Sequence, residues 1–181
     1  MNGACLEDFK KIKFLGEGKF GQVHLVVHIK TNTLFALKQI KKDSIVKNKM
    51  QDQLLMEIKM QFYLNHPNIL KLYGVFSDEE NIYLILEYME EGTLYSMLRK
   101  RKTMKQADAS HKLRDVLDGI EYLHSQNIAH RDIKPENIVI SNVKTTLHRM
   151  YARSVIWDGQ LSAKTAGKHS AAPSTMHLQS S

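Results

Sequence analysis

What the sequence lacks narrows it first. Its 181 residues hold one cysteine, Cys5, which cannot close an internal disulfide and fits a reducing, intracellular setting. No apolar run approaches the roughly 18 residues that span a membrane. The opening MNGACLEDFK has no basic stretch followed by an apolar one, so it does not read as a secretory signal. Asn2 stands where N-myristoylation needs glycine. No internal repeat recurs along the chain.

Acidic residues are outnumbered, 19 against 26 Lys and Arg, yet the excess does not read as a nucleic-acid footprint. From residue 144 onward five basic residues face Asp158 alone, which leaves residues 1–143 a net charge of only +3. The densest run, Arg99-Lys100-Arg101-Lys102, falls at the end of an expected helix and reads as a solvated face or a docking edge. Neither nucleic-acid nor membrane binding is expected. With 43% hydrophobic and 25% charged residues, the chain is long enough for one real core, or two small lobes.

The pattern begins as strands. Val23, Leu25 and Val27 share one face, Thr31-Asn32-Thr33 makes a turn, and Leu34, Ala36, Lys38 and Ile40 line one face of the next strand. Between residues 47 and 65 the period changes, with Leu54, Glu57, Ile58 and Gln61 on one helical stripe, stopped at His66-Pro67-Asn68. Two more strands, Ile69–Phe76 and Ile82–Tyr88, flank the acidic turn Asp78-Glu79-Glu80. Thr93 is placed to cap a short helix, and residues 107–126 predict a longer one with Leu113, Val116, Leu117, Ile120 and Leu123 inward. After about residue 141 the periodicity fades into Ser, Ala, Lys, His and Thr, which reads as a disordered tail.

Three motifs carry chemistry. Gly16, Gly18 and Gly21 form a G-x-G-x-x-G-x-V with Val23. An alternating strand follows the glycines, not the helix of a dinucleotide fold, and no Lys-Ser or Lys-Thr completes a Walker A loop. A plain Gly-rich hairpin and a loop covering phosphates, with Phe20 at its tip, both satisfy the pattern. Lys38 points inward from an apolar strand and needs an anionic partner, since a bare buried ammonium is costly. Glu57 on the inner stripe of the next helix answers that need, as a structural salt bridge or as one that holds Lys38 toward phosphates. The strongest motif is HRDIKPEN, residues 130–137. Phosphoryl transfer to a hydroxyl needs a carboxylate base, here Asp132, a cation near the moving group, Lys134, and a metal ligand, Asn137.

With these motifs residues 9–140 resemble the N-terminal lobe and catalytic loop of a eukaryotic protein serine/threonine kinase, and more narrowly the Aurora kinases. The narrower likeness rests on HPNILKLYGVF, IYLILEYMEEGTLY and HRDIKPEN, and on Gln61, where most kinases carry a hydrophobic residue. The resemblance implies an α+β fold: a small lobe over 9–88, with a five-stranded antiparallel sheet plus one helix, and the first part of a helical large lobe over 92–140. Residues 1–8 would be an N-terminal tail. ATP and Mg²⁺ are the implied cofactors, and the implied partners are a protein substrate accepting on Ser or Thr and a protein activator. Leu15, Val23, Ala36 and Val139 would sandwich the adenine, Leu86 would be the gatekeeper, and Glu87 and Met89 would offer backbone hydrogen bonds. The implied location is cytoplasm, nucleus or spindle and centrosome.

The likeness stops before the metal-binding D-F-G, the activation segment and A-P-E. The nearest approach is Trp157-Asp158-Gly159-Gln160. A frame slip or retained intron near residues 141–149 would account for this, the alternative being a natural, unrelated tail. Read from the third base of each codon, Met150/Tyr151 forces Val, Trp157/Asp158 forces Gly and Met176/His177 forces Ala. The degenerate codons between them permit V-x-K-L-C-D-L-G-W-S, similar to the metal-binding segment of the family. On this reading 141–181 is a displaced-frame tail and the chain is the front half of a kinase, without the catalytic competence of a whole one.

Overall fold

Alternating apolar residues near the N-terminus build three antiparallel strands, β1 (Phe9–Gly18), β2 (Gly21–His28) and β3 (Thr33–Lys41). They belong to a computed structural model that describes residues 3–18, 21–144, 150–156 and 162–163. Phe20, the expected loop tip, and the tail segment Trp157–Gln160 lie outside the described residues. At the β2–β3 turn Asn32 takes a left-handed φ of 53°, which asparagine tolerates better than most residues. β4 (Leu72–Ser77) and β5 (Asn81–Glu87) complete one sheet in the order β1-β2-β3-β5-β4, every neighbouring pair antiparallel. The turn between β4 and β5 is fastened by Asp78. Its Oδ1 accepts from the N–H groups of Glu80 at 2.9 Å and Asn81 at 2.7 Å, and its Oδ2 accepts from the buried Tyr83 hydroxyl at 2.8 Å.

β3 runs through the middle with both faces covered. Phe35 and Leu37 join Phe9, Val26, Tyr83 and Ile85 on the outer face, while Ala36 and Ile40 join Leu72, Leu84 and Leu86 on the inner one. Two helices follow β3, not the single one the sequence predicts. A short α1 (Lys42–Lys47) precedes α2 (Gln51–Tyr63), with Lys49 at a left-handed φ of 53° in the break between them. Leu54, Glu57, Ile58 and Gln61 form the half-buried stripe of α2, and Leu54 and Ile58 pack on the inner core of the sheet.

The second lobe starts with β6 (Gly92–Thr93) and α3 (Leu94–Arg101), where the Thr93 hydroxyl accepts from the N–H of Ser96 at 3.1 Å. α4 (Gln106–Ser125), β7 (Ile128–Ala129) and β8 (Ile138–Lys144) follow. β8 pairs with β6 and with β9 (Met150–Ile156), a strand inside the segment whose sequence carries no clear period. A short β10 (Ser162–Ala163) pairs with β7. Leu64, Ile69, Val116, Leu123, Ile128 and Ile138 make the core here, so it is shared with residues that follow α2. The Tyr122 hydroxyl accepts from the N–H of Asn65 at 3.0 Å, and the Tyr122 ring stacks on His66 with centroids 4.7 Å apart. That contact ties α4 to the end of α2.

One expectation for α4 is corrected. Val116 and Leu123 are buried and Ile120 is half-buried, but Leu113 is 59% exposed and Leu117 55%. The period identifies an apolar stripe, while packing covers only the part that meets the core beneath β7 and β8. Among the described residues no helix is long and apolar enough to cross a membrane. Leu123, at 1% exposure, should therefore cost about 2–5 kcal/mol when changed to Ala. Leu117→Ala should stay within about 0.5 kcal/mol. Urea denaturation of both variants beside the parent measures the contrast, and equal losses would mean that the stripe is packed along its whole length.

Candidate active site

The inner face of the sheet sets out the first half of the site. Cross-strand register places Gly16 opposite Val23, Val23 opposite Lys38 and Lys38 opposite Leu84, so the end of the glycine stretch and the lysine occupy one row. Lys38 is only 8% exposed, among Ala36, Ile40, Leu84 and Leu86. Glu57 lies on the half-buried stripe of α2, between residues that pack on the same cluster, and its Oε1 accepts from Gln53 Nε2 at 2.8 Å.

The three glycines differ in what holds them. A Cβ added at Gly21 would collide with the Gln39 carbonyl on β3, so the sheet itself demands glycine there. At Gly16 and Gly18 an added Cβ would meet nothing within 4 Å. Packing within the described chain gives no reason for those two, whereas close approach of a ligand to the backbone would.

Val23, Ala36, Leu86, Met89 and Val139 gather in a single apolar cluster, Leu86 fully buried and Val23 and Val139 at its margin. Leu15 stays outside it, exposed near the end of β1. Glu87 is fixed by the strand beside it, its N–H donating to the Lys71 carbonyl at 3.0 Å. Met89 accepts from the N–H of Gly92 at 3.3 Å, which turns the chain into β6.

The second half of the site is the loop between β7 and β8. Lys134 Nζ lies 2.8 Å from Asp132 Oδ2, and Asn137 Nδ2 donates to both the backbone oxygen and Oδ2 of Asp132 at 2.9 Å. Asp132 is thus the hub of the three residues. Its carboxyl is held below the usual carboxylate range, first by the Lys134 contact, which outweighs the opposing effect of desolvation, and with a lesser contribution from Asn137. Buried Asn137 closes a short helical turn, Pro135–Asn137, and two residues later Val139 reaches the apolar cluster. The loop and the inner face of the sheet are therefore joined through the first residues of β8.

Some of the scaffolding was not read from the sequence. Buried His130 accepts at Nδ1 from the N–H of Asp132 at 3.2 Å, bridging Arg131, which takes a left-handed φ of 64°. A non-glycine residue in that region carries local strain and persists only where its surroundings hold it. The histidine is visible in the motif, but the backbone of Arg131 leaves no trace in residue type. The Tyr122 tether to Asn65 and His66 is equally silent, because Tyr122 reads simply as another helical residue.

Comparison with known proteins gives a consistent result. The protein kinase domain family matches residues 9–153. An Aurora kinase of Saccharomyces cerevisiae is 44% identical over 135 residues, covering 75% of this chain and 37% of that protein. One from Schizosaccharomyces pombe is 45% identical over 128 residues, covering 71% and 36%. Serine/threonine-protein kinase Aurora-1 of Arabidopsis thaliana is 42% identical over 135 residues, covering 75% and 46%. The chain spans less than half the length of these curated relatives.

The loop geometry makes a titration prediction. Lys134→Met should raise the Asp132 pKa toward its ordinary 3.8, and Asn137→Ala should raise it by less, in the order of the two causes. Carboxyl-carbon NMR titration reads this directly. An unchanged Asp132 in Lys134→Met would mean that the ion pair does not set its charge.

Proposed function

The chain belongs to the protein kinase family, as a segment of the Aurora serine/threonine type, and on that premise we propose that it carries the nucleotide-holding lobe and catalytic loop of an enzyme moving the γ-phosphoryl group of ATP to Ser or Thr of a protein. The observation that carries this is the Asp132–Lys134–Asn137 cluster, joined by β8 to the apolar pocket of the sheet. In this reading Asp132 orients the acceptor hydroxyl and takes its proton, and its lowered pKa keeps it ionised for that task. Lys134 is the cation nearest the moving phosphoryl group. Lys38, paired with Glu57, anchors the phosphates beneath Gly16, Gly18 and Gly21. Leu15, Val23, Ala36 and Val139 hold the adenine, with Leu86 behind it. The Glu87 N–H is occupied by Lys71, so Glu87 would meet the adenine through its carbonyl and Met89 through its N–H.

At the level of the family, ATP and Mg²⁺ use are implied. Asn137 spends Nδ2 on Asp132, which leaves its Oδ1 for a metal. Mg²⁺ demands near-ideal octahedral oxygen coordination, and the family pairs this asparagine with the acid of a D-F-G. Among the described residues no group of three or more His, Cys, Asp or Glu gathers to hold a metal, so these residues do not by themselves build the Mg²⁺ site. The sequence after Asn137 holds no D-F-G, and its nearest approach is Trp157-Asp158-Gly159-Gln160. That departure favours a second reading for this polypeptide: a nucleotide-binding segment that does not complete transfer.

Two measurements separate the readings. Phosphate transfer from labelled ATP to a generic basic protein should not exceed that of Lys38→Met, and activity clearly above that control would sink the silent reading. Binding of a fluorescent ATP analogue should weaken about tenfold or more in Lys38→Met, as for loss of one charged hydrogen bond. If neither protein binds the analogue, the nucleotide pocket itself is refuted for this chain.

A further inference from the structure

We propose that Thr103 is a phosphorylation site, and that its phosphate locks the joint between α3 and α4. The basic run Arg99-Lys100-Arg101-Lys102 occupies the last turn of α3 and its C-cap, and all four residues are exposed. Lys105 adds a fifth exposed cation, and no acidic residue occurs from Gly92 to Ala107. Among the described residues none of the five cations makes an ion pair; Arg99 lies instead over the Tyr95 ring, 5.9 Å from its centroid. These five charges fall within seven residues and exceed the net +3 of residues 1–143. Such crowding costs free energy by self-repulsion unless an anion relieves it.

Thr103 stands where that anion can be attached. Lys102 ends α3 abruptly with a φ of 59°, its N–H donating to the Leu98 carbonyl at 2.8 Å, and the exposed Thr103 follows at once. A lysine holds this left-handed position, which glycine or asparagine usually takes. On the far side, α4 begins with Lys105 at its N-cap and no side-chain cap, and Asp108 is the one acid of its first turn. A cation at the positive end of a 20-residue helix is the wrong sign for its dipole. A phosphate three residues upstream of Gln106 would sit between the cations of α3 and the open N–H groups of α4, giving each a partner.

Four successive cations before the hydroxyl also suit an acting kinase whose peptide groove is lined with carboxylates. The last turn of the eight-residue α3 would fray to enter such a groove. Thr103 Oγ1 attacks the γ-phosphorus of ATP, the bond to the β,γ-bridging oxygen breaks, and ADP leaves with that electron pair. The hydroxyl proton passes to the carboxylate base of the acting enzyme. The modified side chain gains about −1.5 to −2 of charge near neutral pH. This proposal treats the chain as a substrate and stands independently of its own transfer activity.

The test uses the full chain, ATP and a serine/threonine kinase of basic-directed specificity, with phosphosites mapped by mass spectrometry. Thr103 should carry the main label, Thr103→Ala should lose it and Thr103→Ser should retain it. The double variant Arg99→Gln/Arg101→Gln should be labelled roughly tenfold more slowly or worse, as for loss of two charge-assisted contacts. In the phosphorylated chain, amide exchange at Gln106–Asp108 should slow severalfold while α2 is unchanged. Label placed elsewhere, or undiminished in the double variant, overturns Thr103 as a recognised site. Labelling at Thr103 that leaves exchange at the start of α4 untouched overturns the lock.

Discussion

One ammonium group has to be kept among aliphatic side chains in the middle of the sheet, and much of the small lobe is arranged around that demand. Lys38 lies on the central strand, buried on the inner face while Phe35 and Leu37 are buried on the outer one. A charge in such a place is tolerated only with a partner, because desolvation without compensation costs several kcal/mol. The sheet supplies a fixed position for the lysine by flanking β3 with β2 and β5. α2 places one acid, Glu57, on the half-buried stripe whose Leu54 and Ile58 pack on the same core.

The loop between β7 and β8 solves the opposite problem. Asp132 is a charge that stays partly exposed, and its carboxylate is met by the Lys134 ammonium and the Asn137 amide and not by carbon. Lys134 and Asn137 share its Oδ2, Asn137 also reaches its backbone oxygen, and His130 accepts from its N–H. Holding them in register requires the left-handed turn at Arg131, a local cost sustained by the anchoring of His130 below and Asn137 beyond. The lobes are kept in relation by Tyr122, whose hydroxyl and ring both engage the chain just after α2.

How much of this was legible depended on whether residue type records the physics. The alternation of β2 and β3, the inner stripe of α2 and the Thr93 cap were readable because period and capping chemistry are written in side chains. Lys38 was readable for the reason opposite to that of its neighbours, as a charge in an apolar pattern. α1 was missed because six residues are too few to establish a period. Leu113 and Leu117 belong to the stripe yet stay exposed, because a stripe declares its chemistry but not the extent of its cover. Arg131 could not be found at all, since its unusual feature is a backbone angle.

The unequal holding of the three glycines has a historical consequence. Gly21 is pinned by the carbonyl of Gln39, so a lineage that keeps the sheet must keep this glycine whatever the protein does. Gly16 and Gly18 pair in the same sheet, yet among the described residues a side chain at either would meet nothing within 4 Å. Should a descendant cease to grip a ligand there, drift would fill those two positions with side chains first and leave the third untouched. If a ligand does occupy that loop, the state of the unpinned pair would record its loss.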